Sequence, residues 1–358
     1  MRKLIRFELR KIFSRRMTQI SLLLLLLLSA LFTVSDYQNK YAFDGESHEG
    51  NGKAAVEIDK RLASEYEGIL TDEKVRQMMS DFKPKADLHG MNAAYLYQNA
   101  IQSAVFARFS DLSGNWNGLG VSDIFGNEEI KIGYVDGWLS FSQNMVKIYT
   151  LLAFVIIIMT APVFCGEYGG VDTLILTARY GKTKCPAAKA AAAVIASLTV
   201  TAAVTAVNYL AAFILYGSAG SDGSILFAPL IYTENYIPFN ITCAGLLKYQ
   251  ILLAFTGTVS VTGITLVLSA ACKNLPAALT ASAAVYVLPA VLPVAETHPL
   301  FRYTGLLPLY HAQFVALMSV EQMGNGVLYA IWAVPAALIF WGVGWFASRR
   351  IFAGHQVS

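Results

Sequence analysis

The residues best suited to chemistry lie in one short polar segment, 165–189, which separates two long apolar blocks. Near its end, Gly181-Lys182-Thr183 matches the last positions of the loop GxxxxGK[ST], which holds nucleotide phosphates through its backbone amides and its lysine. The first glycine of that loop would fall at position 176, which is Leu176, and no strand–loop–helix pattern surrounds it. We therefore expect no ATP binding by this chain.

Other catalytic and metal-binding patterns fail as well. The sequence contains neither HExxH nor G-x-S-x-G, its five histidines are dispersed, and its four cysteines form no CxxC pair. We therefore predict no catalytic residues, no metal site and no cofactor bound by this chain, and do not expect an enzyme.

The same segment has the pattern of a short helix at a membrane surface. One acid opens it, four bases close it, and apolar residues that require burial lie between them. We interpret 167–184 as a docking element; an ordinary solvated loop is the alternative. The candidate docking residues are Glu167, Asp172, Thr173, Leu174, Leu176, Arg179, Lys182 and Lys184.

The elements around this segment are predicted to be membrane spans. Hydrophobic residues make up 55% of the 358 and charged residues 14%, with a mean hydropathy of +0.49. A span needs about 20 mostly apolar residues. The fold class is thus an all-α polytopic membrane protein with six transmembrane helices, the first of them a retained span rather than a cleaved signal peptide. The predicted spans are 18–34, 146–164, 190–216, 249–271, 276–295 and 327–347.

Basic residues predict the orientation, because Lys and Arg favour cytoplasmic flanks. Residues 1–17 carry seven bases against one acid, and 165–189 carry four bases. With six spans, these regions and both termini are cytoplasmic, and residues 35–145 are extracytoplasmic. The net charge of +3 is the sum of these unevenly distributed bases, and it does not indicate nucleic-acid binding.

Residues 1–17 are predicted to form an interfacial amphipathic helix. Ile5, Leu9 and Ile12 recur at three- and four-residue steps, which favours an apolar face in the membrane lipids and a basic face toward headgroups. A charge signal without helical structure is the alternative. The residues assigned to this helix are Arg6, Phe7, Glu8, Arg10 and Lys11.

The two remaining regions are an inserted domain and the membrane domain. Residues 35–145 contain two stretches with helical spacing and a Gly/Asn-rich loop, which predicts a small, mostly helical extracytoplasmic domain. The membrane domain, 146–358, carries spans 2–6. Its cores contain almost no charge, and Asn208 is the main deep polar group and a candidate pathway residue. Without buried carboxylates, an ion-coupled carrier is disfavoured.

The chain resembles a permease subunit of the type-2 ABC exporters. Two stretches carry the resemblance: the basic leader MRKLIRFELRKIFSRRM, and the residues after the second span, Glu167, Gly170, Asp172-Thr173-Leu174, Arg179 and Lys189. The family often has a proline before a Ser-Arg pair, where this chain has Ala178-Arg179-Tyr180.

The resemblance implies a permease, in a bacterial cell membrane, that pairs with a second copy or a paralogue. Each permease docks through a coupling helix, here 167–184, on a separate ABC ATPase subunit that binds ATP and Mg. By analogy of fold, the cargo is a peptide or antibiotic first and a lipid or envelope component second. A non-transporting membrane sensor or scaffold with an outer ligand-binding domain stays open, and a neighbouring gene for an ATPase would discriminate against it.

Overall fold

The computed structural model describes residues 1–84, 93, 98–228, 240–294, 298–299, 301–312 and 329–354. The described chain is mostly helical, which confirms the predicted helical class. Its first helices are α1 (Arg2–Phe13), α2 (Arg16–Asn39), α3 (Lys53–Glu65), α4 (Asp72–Asp81), α5 (Ala100–Phe109), α6 (Val121–Phe125) and α7 (Asp136–Thr160). They are followed by α8 (Asp172–Thr177), α9 (Lys184–Tyr216), α10 (Cys243–Ala271), α11 (Leu275–Val291), α12 (Phe301–Thr304), α13 (Pro308–Ala312) and α14 (Tyr329–Ala353).

Five helices in the described part of the chain are long and apolar enough to cross a membrane. They correspond to α2, α7, α9, α10 and α14, and they overlap the first four and the last of the predicted spans. The predicted fifth span, 276–295, corresponds to α11, which has 17 residues and contains Pro289. Even without α11, the five longer helices indicate a membrane-embedded protein.

Local sequence explains where the apolar helices begin and end. The side chain of Asn274 accepts a hydrogen bond from the Ala277 amide (3.0 Å) and so caps α11, which carries a proline in its first turn. Pro162 follows the end of α7, where a ring without an N–H cannot continue the helical hydrogen bonds. The chain thus leaves the α7 helix at a defined point, just before the polar segment.

The described chain divides into two compact units. The first consists of Met1–Ser29, Met145–Val207 and Gln250–Ser358. Within it, alanines at the start of α9 are buried against the rest of the unit, as close helix packing in lipid requires. Two buried hydroxyl contacts also join helices: Tyr149 to Thr205 (2.9 Å) and Thr201 to Thr258 (2.8 Å).

The second unit consists of Ala30–Asn144 and Asn208–Tyr249. It contains two antiparallel strand pairs, β1 (Tyr41–Phe43) with β2 (Glu49–Asn51) and β3 (Gly68–Ile69) with β4 (Lys131–Ile132). Helices α3, α4 and α5 supply most of its apolar core. The buried core residues include Val56, Leu62, Met78, Val105, Phe106, Phe109, Ile130 and Ile132. The second of the two stretches that the sequence predicts to be helical in this region covers 92–112, and part of it lies outside the described residues.

The two stretches of the second unit are joined by backbone contacts that sequence patterning does not indicate. The Ser224 amide donates to the Lys131 carbonyl (2.8 Å), and the Lys131 amide donates to the Ser224 hydroxyl (2.9 Å). Arg108 donates to the Leu226 carbonyl (2.9 Å). Gly220 has a φ of +74°, and a Cβ there would overlap the Tyr134 carbonyl, so this position requires glycine. The insertion therefore packs with a later loop of the chain.

One buried carboxylate in the second unit gives a pH dependence. Asp59 on α3 is 3% exposed and accepts a hydrogen bond from the Ala100 amide (3.0 Å). Burial raises the pKa of Asp59 to about 6, although the charge of Lys40 and the Ala100 hydrogen bond act in the opposite direction. Lys40 itself forms an ion pair with Asp136.

We expect the second unit to be more stable at mildly acidic pH. Between about pH 4 and 6 the folded state holds a proton on Asp59 that the unfolded state has lost, so this stabilisation disappears as the pH rises through 6. Hydrogen exchange in α3 and α5 of the full chain, corrected for intrinsic rates, should show about tenfold greater protection at pH 5 than at pH 7.5. Asp59→Asn should remove the difference, and Glu57→Gln, at an exposed position on α3, should retain it. The same pH dependence in Asp59→Asn would contradict the assignment.

Candidate functional site

The polar segment begins as a buried anchor in the first unit. After α7 the chain forms two short 3-10 turns, Ala161–Val163 and Cys165–Glu167. The Phe164 amide donates to the hydroxyl of Ser269 on α10 (2.9 Å), and the Tyr168 hydroxyl donates to the Ala270 carbonyl (2.7 Å). Tyr168 also stacks on the ring of Phe352 from α14. Residues 161–168, which we call the anchor, are therefore held by two further helices.

Glu167 is the centre of a buried ion-pair network that joins this anchor to two more helices. The side chain of Lys189, on α9, is fully buried. Its Nζ lies 2.5 Å from Glu167 Oε1 and 3.2 Å from Glu8 Oε1. Lys11 pairs with the same oxygen of Glu167, and its Nζ lies 4.0 Å from Glu8 Oε2. These four residues form what we call the anchor network.

Helix α1 enters the network through the face that carries Glu8 and Lys11. These residues lie three positions apart and so share a side of the helix with Ile12, which is also buried. The predicted helix at the N-terminus is present, but Glu8 faces the protein rather than the headgroups. Of the other residues assigned to this helix, Arg6, Phe7 and Arg10 are exposed.

Burial makes the anchor network sensitive to any change in its charges. An ion removed from water must be paired, and deleting one partner of a buried pair costs about 3–5 kcal/mol because the other charge remains unpaired. Glu167 is only 3% exposed, and within the described part of the chain its Oε2 has no hydrogen-bond partner. The relative positions of α1, the anchor and α9 are thus tied to one carboxylate.

Beyond the anchor, residues 171–184 form an exposed tip. Its helix, α8, begins at Asp172, whose side chain lies outside the described part of the structure. Leu174 is 70% exposed and Val171 is 49% exposed, whereas Leu176 turns inward and is buried. The tip therefore presents apolar side chains that its own chain leaves uncovered.

The return of the tip to α9 depends on Gly181 and Tyr180. Gly181 is buried, and a Cβ there would overlap the carbonyl of Ile175. The carbonyl of Tyr180 accepts the amides of Lys184 (3.0 Å) and Cys185 (3.1 Å), and the Lys184 ammonium lies 4.0 Å from the centre of the Tyr180 ring. The tip is consequently a shaped turn, in which Gly181 permits a close approach.

The structure separates the predicted docking residues into two groups. Glu167 belongs to the buried anchor, and Leu176 packs beneath the tip. The remaining predicted residues whose side chains are described are exposed on the tip: Thr173, Leu174, Arg179, Lys182 and Lys184.

Sequence reasoning missed the partners of Glu167. Lys189 is counted among the bases of the polar segment and the residues of the family resemblance, and Glu8 is assigned to the interfacial helix, but the sequence patterns pair neither with Glu167. Both positions carry a signal in the sequence. A lysine within an alanine-rich helix needs a carboxylate partner if it is buried, and a lone acid in a basic leader needs a basic partner if it is buried.

Asn208, the candidate pathway residue, is buried on α9 within the second unit. A cavity of about 20 Å³ lies in the first unit among Tyr149, Thr258 and Tyr286. The described lining of that cavity does not include Asn208. A space of this size suits about one water molecule rather than a substrate.

The chain matched no family model, no curated protein and no solved structure in comparisons with each.

We expect the charges of the anchor network to be strongly coupled. Glu167→Gln and Lys189→Met should each reduce stability by up to about 3–5 kcal/mol, because each leaves a buried charge with fewer partners. The double variant should lose clearly less than the sum of the two, as measured by unfolding in detergent.

The exposed Lys182 supplies the matched control, and Lys182→Met should have little effect on stability. Simple additivity of Glu167→Gln and Lys189→Met would show that the two side chains do not interact.

We also expect Gly181→Ala to open the turn of the tip. The added methyl group must displace the Ile175 carbonyl, at a cost of about 1–3 kcal/mol. Trypsin should then cleave after Arg179, Lys182 and Lys184 faster than in the parent protein. Gly170→Ala is the control, because its Cβ would meet only the Glu167 carbonyl, at 3.8 Å. Equal cleavage of the parent and Gly181→Ala would contradict this account of the turn.

Proposed function

We propose that this chain is the membrane-spanning permease subunit of an ATP-driven ABC exporter, moved by a separate ATPase subunit. The observation that carries the proposal is a contrast within one segment. A buried, charged anchor is followed directly along the chain by a tip with exposed apolar side chains. A surface loop without a partner gains nothing from exposing Leu174 and Val171, and has no need of a buried ion network beneath it.

The chemistry of the tip favours a protein groove as its binding site. Leu174 and Val171 offer an apolar contact, and the same tip carries the exposed bases Arg179, Lys182 and Lys184. An apolar centre with a charged rim is typical of a protein interface. The complementary surface is a groove with an apolar floor and acidic rim on the ATPase subunit.

The anchor supports the proposal because it would transmit a displacement of the tip. Tyr168 and Phe164 hold the anchor on α10, Glu167 ties it to α1 and α9, and Tyr168 also stacks on α14. Elements joined by buried ion pairs and close packing move together rather than bend. A force on the tip would therefore reach four helices of the first unit.

The proposed layout has six membrane spans, with α11 as the fifth. Both termini and the tip are cytoplasmic, and residues 35–145 are extracytoplasmic. Two copies, or this chain and a paralogue, form the transporter in a bacterial cell membrane. ATP and Mg bind to the ATPase subunit, which does the hydrolysis. The proposed cargo is a peptide, an antibiotic or a lipid-like molecule.

In the proposed mechanism, closure of two ATPase subunits on ATP displaces the two tips. Each anchor then carries α1, α9 and α10 as one body, and the path between the two permeases changes its accessibility. The chain itself performs no chemical step and contributes only the mechanical connection.

We expect Leu174→Glu to abolish co-purification of the ATPase encoded beside this chain. A carboxylate at the centre of the apolar contact is desolvated without a partner, which typically costs several kcal/mol in an interface. Leu112→Glu is the matched control, because Leu112 is equally apolar and 74% exposed but belongs to the second unit. It should leave co-purification and substrate-stimulated ATPase activity unchanged.

Two results would overturn the proposal. Normal ATPase association of Leu174→Glu would remove the tip from the interface. Absence of any ATPase partner, together with ligand binding by the second unit, would favour a membrane sensor or scaffold.

A further inference from the structure

A cavity of about 330 Å³ lies in the first unit, beside the link between α1 and α2. Its lining combines two arginines with an apolar wall. The lining residues are Arg15, Arg16, Met17, Ile158, Pro162, Gly166, Leu275 and Leu279. Its volume falls within the range of small-molecule sites.

Arg15 is held in a fixed position with part of its guanidinium unused. Its Nη2 donates to the Pro162 carbonyl (3.0 Å), which orients the planar group toward the end of α7. Its Nη1 is buried and has no hydrogen-bond partner among the residues that the structure describes. A buried cationic donor without a partner is costly, and an anionic oxygen in the cavity would satisfy it.

The surrounding charges also favour an anion. The charged groups around Arg15 are Glu8 and Glu167, which act on it electrostatically, and the lysines paired with them, Lys11 and Lys189. The thiol of Cys165 also lies close to Arg15. Together with Arg15 and Arg16, the two glutamates and two lysines make six charged side chains, four bases and two acids, with a net charge of +2. The two carboxylates are already engaged by the lysines, so the arginines keep an excess of positive charge.

The apolar wall indicates which kind of anion fits. Met17 lies at the start of α2, Ile158 near the end of α7, and Leu275 and Leu279 at the start of α11. The cavity therefore lies where three apolar helices begin or end, at the boundary between hydrocarbon and water. A phosphate bound by arginines there would have its acyl chains along Ile158, Leu275 and Leu279, an arrangement that suits a phospholipid.

We propose that this cavity is a binding site for an anionic phospholipid, whose phosphate contacts Arg15 and Arg16 and whose acyl chains pack on the apolar wall. A zwitterionic lipid fits less well, because its amine would meet the net positive charge. The proposal concerns the cavity alone and holds whether or not an ATPase docks on the tip.

The test uses the full chain, purified in detergent and stripped of lipid. Phosphatidylglycerol should raise the midpoint of thermal unfolding by about 5 °C, and phosphatidylcholine with the same acyl chains should raise it much less. Arg15→Gln combined with Arg16→Gln should remove this difference. Arg2→Gln combined with Arg6→Gln removes the same charge from exposed positions of the leader and should retain it.

A second variant covers the case in which Arg15→Gln fails to fold. Leu279→Trp fills the apolar part of the cavity without changing any charge, and it should also abolish the phosphatidylglycerol shift. Inorganic phosphate, tested alone at the same concentration, should give no shift.

Three results would overturn the proposal. Equal stabilisation by the two lipids would show a non-specific effect of lipid. A full phosphatidylglycerol shift in Leu279→Trp or in the Arg15/Arg16 variant would place the lipid elsewhere. A shift with inorganic phosphate that matches that of the lipid would identify the occupant as a soluble anion.

Discussion

The buried pair of Lys189 and Glu167 is the interaction on which the first unit depends. A lysine side chain with no exposed surface must meet a carboxylate, and Glu167 reaches it only if the chain leaves α7 at Pro162 and turns back toward α9. Glu8 and Lys11 complete the charge balance, which places α1 against the same point. One electrostatic requirement therefore determines how three separate stretches of the chain meet.

The same electrostatic requirement divides the polar segment into a buried anchor and an exposed tip. The contacts of the anchor end at Tyr168, and the chain beyond it forms the tip, with the short helix α8, until α9 begins at Lys184. The tip keeps its own shape through the close approach at Gly181, so it is neither part of the core nor a loose loop. The exposed and shaped tip is suited to recognition by another protein, and the buried ion pairs beneath it hold the anchor in place.

Sequence reasoning predicted the features that periodicity controls. Apolar runs located the long helices, because helix length and lipid thickness are matched, and the spacing of Ile5, Leu9 and Ile12 predicted α1. It did not predict which side of α1 is buried, since a tertiary partner 181 positions away decides that for Glu8. It grouped Glu167 with the exposed bases for the same reason. Pairing between charges that are distant in sequence produces no periodic pattern of residues, and the same holds for the pairing of Lys131 with Ser224.

That last pairing has a consequence for biosynthesis. Lys131 and Ser224 lie 93 positions apart, and α7, α8 and α9 are translated between them. At ordinary elongation rates of about 5–20 residues per second, Ser224 is synthesised several seconds or more after Lys131. During that interval the amide and carbonyl of Lys131 lack their hydrogen-bond partners at Ser224, so this edge of the nascent unit has unpaired backbone groups. A chain that ends before position 224 therefore lacks both hydrogen bonds of this pair, and we expect its second unit to be less stable than that of the full chain.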